Sequence, residues 1–274
     1  MNKLLFIVFA AFSAACSDTT PLPADPQATP ETQALYRNLF RIADEGVMFG
    51  HQDDALYGHD WKYEEGRSDV RECCGEYPAV FGWELGGLET GADRSIDDVP
   101  FAEITRLLCA AYGRGAVNTV SWHPQNPESG ASAWDGKTST AVSSILPGGA
   151  NHAQFRLWLD RLAGFFVGLK SADGTCVPVL FRPFHEHTGN GFWWGKGNCT
   201  AEEYIALWRF TLEYLRDTKG VHNLLYVYSP DIVSSQDNYL EFWPGDAYVD
   251  VLGLDAYDRS SWAIETNGLR LMRL

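Results

Sequence analysis

From Phe181 to Gly195 the chain reads Phe-Arg-Pro-Phe-His-Glu-His-Thr-Gly-Asn-Gly-Phe-Trp-Trp-Gly. Arg182, His185 and Glu186 come in quick succession, followed by a glycine-rich loop that carries Trp193 and Trp194. A carboxyl set among aromatic rings and poorly hydrated has its pKa raised. It can then hold a proton at neutral pH and deliver it to a leaving-group oxygen. Indole faces pack well against the apolar faces of sugar rings, so the segment suits glycosidic bond cleavage. The same residues also fit a purely architectural arrangement, a buried Arg182–Glu186 ion pair with Trp193 and Trp194 in the core.

Chemistry of this kind needs a scaffold that brings distant residues together. The run Val177 to Phe181 is apolar and rich in β-formers, and it is one of six such stretches: 46–52, 78–85, 116–124, 177–186, 223–231 and 248–258. Each ends at or near a residue able to do chemistry, respectively His51, Trp83, His123, Glu186, Asp231 and Asp255. Apolar strands with functional groups at their C-terminal ends are the pattern of a parallel barrel. Helical spacing of apolar residues appears between them, over 31–44, 152–170 and 201–217. The last is opened by Thr200 with Glu203 three residues later, a capping box. The connection 125–151 has no clear period and is expected to lie over the active-site face. The fold class is therefore α/β, with the strand pattern of a parallel barrel.

Composition narrows the partners. The formal net charge of −15 with no basic stripe argues against nucleic acid. The 10 Trp, 12 Tyr and 15 Phe exclude a disordered polymer. Residues 4–15 form an apolar run too short for a permanent membrane span and suited to a signal peptide. It ends Ser13-Ala14-Ala15-Cys16, similar to a bacterial lipobox, although Ser13 stands where an aliphatic residue is usual. The expected organisation is a lipoprotein-type signal peptide over 1–16 with lipidation at Cys16, a flexible tether over 17–33, and the barrel over 34–274. Ordinary secretion is the alternative. Five further cysteines, Cys73, Cys74, Cys109, Cys176 and Cys199, leave at least one unpaired within the chain. No spacing among them suggests a structural metal.

The segment RPFHEHTGNGFWWG resembles the signature of glycoside hydrolase family 26, the β-mannanases. The resemblance extends in order through FGHQ (49–52), PAVFGWELG (78–86), TVSWHPQNP (119–127), ILPGG (145–149), YLRDTKGVHNLLYVYSPD (214–231) and WPGDAYVDVLGLDAYD (243–258). It implies a (β/α)8 TIM barrel of the retaining glycosidase type, acting on the β-1,4 backbone of mannan, glucomannan or galactomannan. By resemblance, Glu186 is the general acid/base, His185 binds sugar or orients the nucleophile, and His123 contacts the sugar before the cleavage point. Tyr257 hydrogen-bonds the nucleophilic carboxylate, Trp193 binds substrate, and Trp134 is a weaker candidate for a leaving-side platform. The family usually has Trp where this chain has Gly191, with Phe192 or Trp193 as possible replacements for that ring.

A retaining mechanism needs a second carboxyl about 5–5.5 Å from the first. The resemblance places it on a seventh strand in a T-E-x-G segment, and no such segment occurs here. Glu265 follows Tyr257 too closely, with no strand between them. The expectation is therefore a barrel truncated after about six β/α units, lacking its nucleophile. Asp231 and Asp255 are expected to line the cleft or bind loop amides, and Asp246 and Asp250 to serve turns or the rim. Glu84, where the family often has Asp, and Glu89 are expected in structural or rim roles. Two rival functions follow: a catalytically inactive glycan-binding protein, or a family-26 enzyme for another β-glycan. No cofactor is expected. The expected partners are mannan and, through the lipid anchor, the outer membrane, with a monomer at the cell envelope.

Overall fold

A computed structural model describes residues 22–257. Its main sheet has six strands: β1 (Gly50–Gln52), β2 (Val80–Glu84), β3 (Val117–Trp122), β4 (Val179–Pro183), β5 (Leu224–Tyr228) and β6 (Val251–Leu252). They lie side by side in chain order and every neighbouring pair is parallel. Each of the six stretches read from the sequence contains one of these strands. Parallel strands are covered on both faces, which demands continuous apolar runs. In β5 all five residues, Leu-Leu-Tyr-Val-Tyr, are buried accordingly. β1 and β6 are the sheet's outer members, and the barrel does not close among the described residues.

The helices cover the sheet through single apolar stripes. In α5 (His152–Gly168) the buried residues are Phe155, Trp158, Leu159, Leu162, Ala163 and Phe166, one face of a 3.6-residue period. Full burial of each large apolar side chain contributes about 1.5–3 kcal/mol. Thr200 and Glu203 form the expected capping box and start α6 (Ala201–Glu213). That helix does not run regularly to residue 217, because Tyr214–Thr218 widens into a π-helical turn. α1 (Pro30–Glu45) begins on a Thr29 cap with proline in its first turn. α2 (Asp69–Cys74) and α3 (Phe101–Gly113) were not apparent from sequence. In α3 the stripe Phe101, Ile104, Leu107, Leu108 and Ala111 is buried. Two short helices, α4 (Ala141–Ile145) and α7 (Gln236–Leu240), lie in connections, the first within 125–151.

The tether expected over 17–33 needs correction for residues 22–33. Ala24 N–H donates to Asp250 at 2.6 Å, Arg216 donates to the Ala24 carbonyl at 3.0 Å, and His222 donates to buried Asp25 at 2.8 Å. Thr29 N–H also donates to the His222 carbonyl at 2.9 Å. This segment, poor in apolar residues, docks through hydrogen bonds at the entry to β5 and β6, which composition does not register. The domain therefore begins before residue 34. The lipidation expected at Cys16 falls within residues 1–21, and these and Glu265 lie outside the described residues.

Candidate active site

Glu84, the last residue of β2, is 2% exposed yet ionisable, and its surroundings explain how. Its carboxylate accepts from Gly86 N–H at 2.5 Å, the Ser121 hydroxyl at 2.5 Å, and His123 N–H at 2.9 Å. A fourth bond, 2.7 Å, comes from His123 Nδ1. A carboxylate only accepts, so Nδ1 carries the hydrogen and Nε2 is the nitrogen left for other partners. Burial pushes the Glu84 carboxyl up, but His123, Ser121 and Gly86 outweigh it and hold the pKa below the ordinary value. The parallel register pairs Glu84 with Ser121 and so brings β2 and the end of β3 together.

Glu186 lies just past β4 in a different setting. It and Phe184 both have positive φ, 55° and 50°. Non-glycine residues seldom adopt such angles, and those that do cluster where function fixes the backbone. The Glu186 amide is tied to the Ser229 carbonyl at 2.8 Å, beyond the end of β5. Its carboxyl accepts from the Tyr257 hydroxyl at 3.0 Å. Burial raises its pKa, with the Asp255 and Asp231 charges acting in the same direction and the Tyr257 hydroxyl and the Arg182 charge opposing.

Arg182 does not pair with Glu186. Its guanidinium holds both oxygens of Asp255, at 2.9 and 2.8 Å, and Ser229 adds a hydroxyl to the same carboxylate at 2.9 Å. This removes the architectural ion pair and leaves Arg182 acting on Glu186 only through its charge. His185, 3% exposed, is driven well below its usual pKa by burial and then by the Arg182 charge, so it is neutral. Its Nδ1 has no hydrogen-bond partner among the described residues.

Glu84, His123, Arg182, His185, Glu186, Asp255 and Tyr257 thus share one cleft of about 350 Å³, with Gln52, Asp97, Trp134 and Phe192 among its other walls. A second hollow of about 200 Å³ shares Ile96, His123 and Trp134 and extends it past Gln125. A bigger concavity of about 680 Å³ lies beside β1, walled by Val47, Phe49, Val70, Tyr77 and their neighbours. Besides Tyr77, its titratable walls are His51, Asp69, Cys73 and Cys74, with no buried carboxylate like those of the cleft, so size does not locate the chemistry.

The cleft collects His123, His185, Glu186, Tyr257 and Trp134, but not Trp193. That indole is fully buried and donates to the Pro124 carbonyl at 2.9 Å. Trp194 is buried too, donating to the His185 carbonyl at 2.8 Å. The pair packs the loop instead of facing sugar, because each indole N–H finds a carbonyl inside the protein. Phe192, stacked on Trp194 at 4.5 Å, presents the ring that lines the cleft. Trp134 is 54% exposed and stacks on His123 at 5.3 Å. Tyr257 bonds Glu186, whereas the resemblance assigned it to the nucleophile. The structural or rim role expected for Glu84 takes a definite form, a buried anion that fixes His123. Its signal is a lone acidic residue closing an otherwise apolar strand, in register with Ser121 and two positions short of His123.

Residues 24–269 match the profile of Glycosyl hydrolase family 26. The chain belongs to this family. A mannan endo-1,4-beta-mannosidase of Bifidobacterium adolescentis is 40% identical over 253 residues, which are 89% of this chain and 25% of that protein. One from Bacillus subtilis strain 168 is 29% identical, over 95% of this chain and 74% of the relative. The chain thus spans a quarter of the first relative and about three-quarters of the second. A GH26 beta-mannanase from Bacteroides ovatus superposes with a TM-score of 0.87 at 43% identity, covering 89% of this chain and 71% of that one. The six parallel strands are thus those of a family-26 TIM barrel. Among the described residues, no group of three or more His, Cys, Asp or Glu could hold a metal ion.

Proposed function

We propose that this cleft binds the β-1,4-linked backbone of mannan, glucomannan or galactomannan, with Glu186 as the general acid that protonates the leaving oxygen. The observation carrying the reading is the half-buried Glu186 carboxyl, in no ion pair and with a raised pKa, at the C-terminal end of a barrel strand. Departure of the leaving group then leaves Glu186 ionised, ready to take a proton from the water that completes a retaining cycle. His123, fixed through Nδ1 by Glu84, offers Nε2 to a sugar hydroxyl. His185, kept neutral, serves the same sugar, and Trp134 supplies a flat apolar face.

The attacking carboxylate is assigned to no described residue. Asp255 is neutralised by Arg182 and Glu84 is saturated by four donors. That commitment favours a second reading, glycan binding without turnover. Incubation of the full chain with mannan, xylan and mixed-linkage glucan, followed by product analysis, separates the possibilities. Mannooligosaccharide release abolished by Glu186→Ala supports the hydrolase. Calorimetric mannan affinity with no release supports the binding protein. Release from the other glycans alone overturns the substrate. The lipid anchor proposed at Cys16 would hold the cleft at the cell envelope, and palmitate labelling lost in Cys16→Ala tests it.

A further inference from the structure

Between α5 and β4 the chain turns back on itself over residues 170–176, away from the Glu186 end of β4. Lys170 and Cys176 face each other across an antiparallel bridge. The turn is braced by Ser171 N–H to the Thr175 carbonyl and Gly174 N–H to the Ser171 carbonyl, both 2.9 Å. Asp173 accepts from the Ser171 hydroxyl at 2.5 Å and from Thr175 N–H at 3.1 Å. Val177 N–H to the Leu169 carbonyl, 3.1 Å, closes the next rung. Opposed residues in such a ladder put their Cβ atoms about 4.5–5.5 Å apart, so these two side chains meet along the whole of the cysteine.

Lys170 Nζ lies 2.6 Å from Cys176 Sγ. Other sulfur contacts among the described residues are longer: Cys74 Sγ lies 3.2 and 3.4 Å from carbonyl oxygens, and Cys199 Sγ 3.2 and 3.8 Å. An N–H···O hydrogen bond spans about 2.7–3.2 Å, and sulfur is larger than oxygen, so an N–H···S bond should exceed that range. A nitrogen and a sulfur sharing one bridging oxygen fit at this separation.

We propose that Lys170 and Cys176 are a redox-controlled cross-link site, joined as Nζ–O–Sγ when the chain meets dioxygen. One amine, one thiol and one O₂ react. An S–O and an N–O bond form, while the S–H and one N–H bond break. The second oxygen atom leaves as water with those two hydrogens. Sulfur and nitrogen each give up two electrons, and dioxygen takes all four. Lys170 is exposed and Cys176 half-buried, so oxidant and reductant both reach the pair. The link would staple the end of α5 to the approach to β4 without touching the cleft.

Peptide mapping of the folded full chain prepared in air tests this, with an anaerobic preparation as control. The expected product joins the Lys170 and Cys176 peptides, with one oxygen gained and two hydrogens lost. Trypsin fails to cut after Lys170, and Cys176 resists alkylation. Dithiothreitol restores both and lowers Tm by about 2–4 °C, the scale of a modest local effect in a domain of this size. Lys170→Arg, on an exposed side chain, leaves Cys176 alkylatable in air. Cys109→Ser, which removes the thiol lying against the Lys170 backbone, leaves the product unchanged. A freely alkylating Cys176 in the aerobic chain overturns the proposal. So does a loss of two hydrogens without oxygen, which marks a disulfide, or a mass gain that survives Lys170→Arg.

Discussion

Two glutamates stand in one cleft and the protein treats them oppositely. Glu84 ends β2, receives four hydrogen bonds and is held ionised despite full burial. Glu186 follows β4, receives one side-chain bond from Tyr257 and is pushed toward the protonated state by burial. The residue type is identical, so donors, neighbouring charges and solvent divide the roles. Saturation with donors makes a fixed anion that orients His123. Burial with a single donor makes a proton carrier.

The division is broken most strongly at the carrier. Glu186→Ala is expected to lower mannan hydrolysis by about 10²–10⁴-fold, the usual contribution of a positioned general acid. An aryl mannoside with an activated leaving group needs less protonation, so its cleavage rate should fall less. Equal losses on both substrates would remove the acid role from Glu186.

Glu84 breaks differently. Glu84→Ala strands the Ser121 hydroxyl, two backbone amides and the His123 ring N–H around an emptied site, and should cost about 3–5 kcal/mol in urea unfolding. Its folded pKa lies below the unfolded value of about 4.3, so its contribution is present above that pH and is lost as pH falls through the folded value. The acid limb of the stability curve should therefore flatten in the variant. An unchanged acid limb would mean that Glu84 is not the fixed anion described here.

This contrast also marks what a sequence can carry. Apolar runs located all six strands, because burial on both faces leaves a continuous pattern, and Thr200 with Glu203 marked where α6 starts. Glu84 and Glu186 look alike as letters, since their difference lies in donors from β3 and in Tyr257, 71 positions away. Trp193 suggested a sugar platform, yet the Pro124 carbonyl captures its N–H. Residues 22–33 looked like a tether, since the bonds that dock them come from residues 216, 222 and 250.

The carrier's pKa can be moved without touching its carboxyl. Tyr257 donates to Glu186 and so favours the charged form. Tyr257→Phe removes that donor and should shift the Glu186 titration upward, followed by carbon-13 NMR of its carboxyl. A general acid works only while protonated, so the alkaline limb of hydrolysis should move to higher pH with it. A downward shift would show that Tyr257 opposes ionisation instead.

The smallest expected change sharpens the carrier's surroundings. A Cβ at Gly191 meets no atom within 4 Å, and the residue is exposed on the loop that carries Phe192. Gly191→Trp therefore needs no repacking, and its urea midpoint should match the parent's. The added indole would lie beside Phe192 and give a sugar ring a second flat face. Stacked aromatic contacts contribute about 0.5–1.5 kcal/mol beyond their area, so mannooligosaccharide affinity should rise by about two- to tenfold in calorimetry. Glu84 sits across the cleft, so its variants should show the same ratio. If affinity rises only when Glu84 is intact, the fixed anion and the loop act as one unit through His123 and Phe192, whose rings lie 5.3 Å apart.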